Sequence, residues 1–232
     1  MSRRAALVGA LACLAAPLAA HAQDAGKAPY PAMAPLDQYA ETSETAEVAL
    51  ARTAAPASIS GRAEIRVLTR QGYVTAAAGE NGFVCLVERA WNTDFDDPEF
   101  FNPKVRAPNC YNAAAARSVL PAYLKRSEWV LGGLSRAEVK ARLQAAVVAR
   151  TITEPAVGAM SFMMSKRGYL GDAVGHAHPH LMFYLPRSEA AAWGADLAGS
   201  PVTAAQGGPE PLTIFFVPAS KWSDGDSATS HP

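Results

Sequence analysis

The sequence predicts an α+β domain built on a mainly antiparallel sheet of about five to six strands with flanking helices. Three observations lead there. Runs of alternating apolar residues gather early, between 63 and 88, and late, between 159 and 217. A helical stretch, clearest at 135–150, separates them. No regular strand–helix–strand rhythm joins them, and that rhythm is the mark of a parallel sheet.

Taken in order, Asp37 to Thr53 predicts a helix with Asp37 as its N-cap, ended by Pro56 to Gly61. Ala63 to Thr69 predicts a strand in which Ile65 and Val67 alternate with Glu64 and Arg66. Gln71-Gly72 turns the chain into a second strand, Tyr73 to Ala78. Glu80-Asn81-Gly82 is a hairpin signal, because Asn and Gly both tolerate positive φ. Phe83 to Glu88 follows as a central strand. Phe83, Cys85 and Val87 share one face; Val84, Leu86 and Glu88 share the other.

Trp91 to Asn112 reads as a long irregular segment, and its aromatic residues favour an ordered one. Ala113 to Tyr123 predicts a short helix. Ser135 to Arg150 predicts a long one, opened by a Ser135–Glu138 capping box. Ala159 to Met164, His180 to Leu185 and Leu212 to Val217 are the late strands, with a turn bracketed by Gly168 and Gly171. Pro186 to Gln206 reads as loop with a short helix near Ala190 to Trp193.

The chain ends bound its location. Residues 1–22 have the layout of a cleavable secretory signal: Arg3 and Arg4, an apolar run from Ala5 to Ala20, then Ala20-His21-Ala22. That implies a periplasmic or secreted protein. Residues 23–36 predict a disordered leader, 37–222 a single domain, and 223–232 a flexible tail. Lys and Arg number 21, as do Asp and Glu. Loss of Arg3 and Arg4 leaves a small acidic excess, which argues against a nucleic-acid partner. No apolar run after the signal is long enough to span a membrane. Cys85 and Cys110 form an even pair, expected to be a disulfide in an oxidising compartment.

The densest chemical signal is Gly175-His176-Ala177-His178-Pro179-His180. Imidazole is a common transition-metal ligand. Residues two apart in an extended chain point the same way, about 6.7 Å apart, so two such rings can meet on one ion. His176, His178 and His180 are therefore candidate metal ligands for zinc or iron. Glu88 and Asp172 are candidate catalytic carboxylates or a third ligand. Met160, Met163, Met164 and Met182 leave copper as an alternative. Two functions follow: a metal-dependent hydrolase, or a non-catalytic periplasmic protein that binds a small ligand or copper.

The stretches Asn81 to Arg89, Gly175 to Phe183 and Pro218 to Asp224 resemble a family of exported bacterial proteins to which no activity attaches. The resemblance spans about residues 81–224 and carries no catalytic residue across.

Overall fold

The computed structural model describes residues 29–187, 192–206 and 208–228. Ten strands and five α-helices follow in chain order. Helices α1 (Glu44–Arg52) and α2 (Ala57–Ser60) precede β1 (Glu64–Thr69), β2 (Gly72–Ala77) and β3 (Val84–Glu88). After β4 (Ala107–Tyr111) come α3 (Ala113–Ser118), α4 (Leu120–Leu131) and α5 (Arg136–Val148). The remainder is β5 (Met160–Met163), β6 (Tyr169–Gly171), β7 (Gly175–His176), β8 (His180–Pro186), β9 (Thr203–Ala205) and β10 (Leu212–Pro218).

Eight strands form one sheet in the order β2-β1-β3-β4-β5-β8-β10-β9, and β6 and β7 form a separate ribbon. The sheet is mixed, with β3 lying parallel to β1. This corrects the expected mainly antiparallel sheet of five to six strands. Two causes are plain. Strand β4 carries Pro108, which breaks the strand signal within a proline-rich segment. Strand β9 is only three residues long. Glu80-Asn81-Gly82 also makes no hairpin. The chain leaves the sheet edge at β2, crosses the start of β1, and lays β3 on the far side of β1. The crossing is tight: Glu80 N–H donates to Arg62 O at 2.9 Å and Glu64 N–H to Phe83 O at 2.9 Å.

Helix starts follow local chemistry. Ser43, not Asp37, caps α1, accepting from Ala46 N–H at 3.1 Å. Asn112 caps α3 through Ala115 N–H at 2.9 Å. The Ser135–Glu138 capping box opens α5 as the sequence reads. The expected helix at 190–193 falls largely outside the described residues.

Helix α1 covers one face of β1, β3 and β4. Leu50, Ala51, Ile65, Cys85, Val87 and Cys110 are buried together there. Cys85 and Cys110 are bonded across β3 and β4, where they face each other in register. The opposite face buries Val84, Leu86 and Tyr111 against Val119, Leu120 and Tyr123 of the α3–α4 segment. Trp91, Phe95, Phe100 and Phe101 order the segment after β3 by packing with Tyr39, Val130, Val139 and Leu143.

Both ends are better anchored than expected. Tyr30, Met33, Ala34 and Leu36 pack against that aromatic core, so the leader is held from Tyr30 onward. Ser223 N–H donates to Met164 O at 3.0 Å, and Lys166 pairs with Asp224 at 2.7 Å and with Asp226. Residues 223–228 are therefore docked rather than trailing.

Two predictions follow from this frame. A Cβ at Gly79 would lie 2.1 Å from Glu64 N, a backbone atom that cannot step aside. Gly79→Ala is expected to cost roughly 1–3 kcal/mol in urea unfolding, as over-packing does. The Cys85–Cys110 bond closes a separation of 25 residues. Replacing both cysteines by Ala is expected to lower stability by about 3 kcal/mol, measured the same way.

Candidate functional site

A cavity of about 410 Å³ opens on the sheet face that α4 only partly covers. Its wall comes from strand alternation, since side chains two residues apart share a face. Glu88 lines it from β3, and Asn109 and Tyr111 from β4. Met163 comes from β5, and His180, Met182 and Tyr184 from β8. Leu212, Ile214 and Phe216 come from β10. Helix α4 adds Tyr123 and Arg126, three residues apart and so on one helix face. The ribbon adds Leu170 and Val174. Glu99 holds the ribbon in place, accepting Asp172 N–H at 2.6 Å and Ala173 N–H at 2.8 Å.

Glu88 is the central polar group. It is 8 % exposed. Tyr111 OH and Asn109 Nδ2 both donate to its Oε1, the latter at 3.2 Å. Burial pushes its carboxyl up to about 7, although these two bonds and the Arg126 charge act to lower it. Burial likewise raises the phenols of Tyr111, Tyr123 and Tyr184, which stay neutral donors.

Two buried arginines lie at this end of the sheet, Arg126 facing the cavity and Arg89 turned toward α1. Arg89 donates to Glu47 Oε1 at 3.0 Å and to Tyr39 O at 2.7 Å. Arg126 donates to Glu210 Oε1 at 3.3 Å and to Thr93 O at 2.6 Å, and lies over the Phe95 ring at 4.1 Å. Around these pairs some polar atoms are left over. Asn92 Nδ2 and Oδ1, Asn109 Oδ1 and Arg126 Nε are buried without a hydrogen-bond partner among the described residues.

The histidines do not share a centre. His176 is exposed, with Nδ1 2.8 Å from Gly168 O and its ring edge-on to Tyr169. His178 is exposed, and its carbonyl accepts from His180 Nδ1 at 2.7 Å. Only His180 reaches the cavity, beside Phe216, and burial holds its ring below the ordinary histidine range. No three His, Cys, Asp or Glu side chains among the described residues are grouped to hold a metal ion. The three histidines thus do not assemble into the shared zinc or iron ligand set expected from the sequence.

Nor are the two candidate carboxylates brought together. Asp172 lies outside the cavity wall, on the ribbon turn. Tyr169 OH, Tyr30 OH and Lys104 Nζ bond it there, the last at 2.9 Å, and hold its carboxyl well below the usual range. Its surroundings explain it as a surface tether of the leader.

Arg126, Glu210 and the three tyrosines went unread in the sequence. One signal was present: His180, Met182 and Tyr184 alternate along a strand, so a polar, a soft and a phenolic side chain face one way. A second was a lone arginine on an otherwise apolar stripe with Tyr123 and Val130. Among the described residues, no helix is long and apolar enough to cross a membrane. In comparisons with known proteins, the chain matches no family model, no curated protein and no solved structure.

The Glu88 shift has a testable sign. Its folded value of about 7 lies above its ordinary 4.5, so the folded chain keeps a proton that the unfolded chain releases. Stability therefore falls as pH rises from about 4.5 through about 7, and the loss is complete above that. Glu88→Gln removes this penalty. Relative to the unaltered protein, the variant is expected to gain about 3 kcal/mol between about pH 4.5 and about pH 8 in urea titrations. A difference that does not change with pH would refute the assignment.

Proposed function

We propose that this chain is an exported, non-catalytic binding protein that takes one small, mainly apolar molecule into the cavity beneath α4. One observation carries the reading. The cavity wall is largely apolar, and a few polar side chains converge on it, Glu88, Asn109, Tyr111 and Arg126 among them. A molecule with a few polar groups on an apolar body suits such a wall, and the volume of about 410 Å³ suits one small molecule.

Export is supported by the signal-like residues 1–22 and by the Cys85–Cys110 disulfide, which suits an oxidising compartment. The binding reading is preferred to the hydrolase because His176, His178 and His180 supply no shared ligand set, whereas the cavity is already formed.

N-phenyl-1-naphthylamine, an uncharged dye that brightens in apolar surroundings, tests the cavity. One equivalent is expected to bind. Ile214→Trp, which fills the cavity from β10, is expected to weaken binding by at least about tenfold while the thermal transition is kept. Equal dye affinity in the filled variant would overturn the proposal.

A further inference from the structure

We infer that the ligand of this cavity carries a positively charged amine, received by the Glu88 carboxylate within a wall of tyrosine rings; the inference rests on the binding reading above.

Charge balance is the first argument. The buried arginine that faces the cavity is already closed into an ion pair: Arg126 with Glu210 at 3.3 Å. Glu88 has no cation within ion-pair distance among the described residues, and only neutral donors bond it. Asp94 and Asp97 add further acid to the wall. An anionic ligand would meet carboxylates and an arginine already neutralised. A cation would meet Glu88, a buried carboxylate on the cavity wall with no counter-charge among the described residues.

Hydrogen-bond valence points the same way. Tyr111 and Asn109 both donate to Oε1, so Glu88 Oε2 accepts no bond among the described residues. An ammonium has a donor for that oxygen and no lone pair to waste.

The surroundings complete the case. Tyr111 lies 6.1 Å from both Tyr123 and Tyr184, ring centre to ring centre, and all three line the cavity. Aromatic faces attract alkylammonium groups, more strongly away from water. Burial pushes the Glu88 carboxyl up to about 7; a cation beside Oε2 would supply the charge that burial withholds.

Three probes with one apolar body isolate the head group: phenethylamine, 2-phenylethanol and phenylacetate. Each is titrated by calorimetry into the full-length mature protein at about neutral pH. Phenethylamine is expected to bind at least about tenfold tighter than the alcohol, with phenylacetate weakest. Glu88→Gln is expected to bring the amine down to the alcohol while keeping a cooperative thermal transition, which shows the variant folded. Equal affinity for amine and alcohol, tightest binding of phenylacetate, or no binding of any of the three would overturn the inference. If the dye binds but the amine has no advantage, the cavity stands and the cation selection falls. If the dye itself fails to bind, both fall.

Discussion

Strand β3 is buried along its whole length on both faces, and the rest of the molecule is arranged around that fact. One face meets the core under α1, and the other meets α3 and α4. At its C-terminal end sit two adjacent residues of opposite charge, Glu88 and Arg89. The backbone stays extended through Arg89, at φ −116° and ψ 168°, so the two side chains leave on opposite sides. Arg89 finds Glu47 on α1. Glu88 is turned into the cavity and cannot use its neighbour's charge. Alternation of side chains keeps apart two groups that proximity in sequence would seem to pair.

The cavity exists because α4 is shorter than the sheet it covers. It packs against β2 and the segment just after β3. The half of the same face made by β8 and β10 is left to the segment around Asn92 to Asp97, the ribbon and the residues near Glu210. Short irregular segments close a surface less completely than a helix does, and they bring polar backbone and side chains with them. An apolar chamber with a few buried polar atoms is the natural product of a helix that stops early.

Much of the local structure could be read from residue order, and the pairing of strands could not. The capping box at Ser135 and Glu138 places α5 because both partners lie within one turn. The two-sided burial of β3 follows from apolar residues on both alternating faces. The route of the chain between β2 and β3 is different: Asn81-Gly82 fits a hairpin locally, but which edge β3 joins is settled by packing against α1, far away in sequence. The site shows the same division. Glu88 was legible as a carboxylate ending an apolar strand. Its partners Asn109 and Tyr111 were not, because β4 is disguised by Pro108. The histidines drew notice by density alone, and density does not fix direction: Pro179 separates His178, which is exposed, from His180, which turns inward.

The sulfur bridge between β3 and β4 sits on the side away from the cavity, yet it governs the cavity's contents. Cys85 is paired with Cys110 and, on the same ladder, Leu86 with Asn109 and Val84 with Tyr111. A slip of one residue would send Asn109 and Tyr111 to the wrong side of the sheet. The covalent bond forbids that slip. It works as an alignment pin: a reducing environment would loosen not only the fold but the orientation of the donors that hold Glu88, so the polar arrangement of the cavity and its oxidation state are mechanically joined through a single pair of strands.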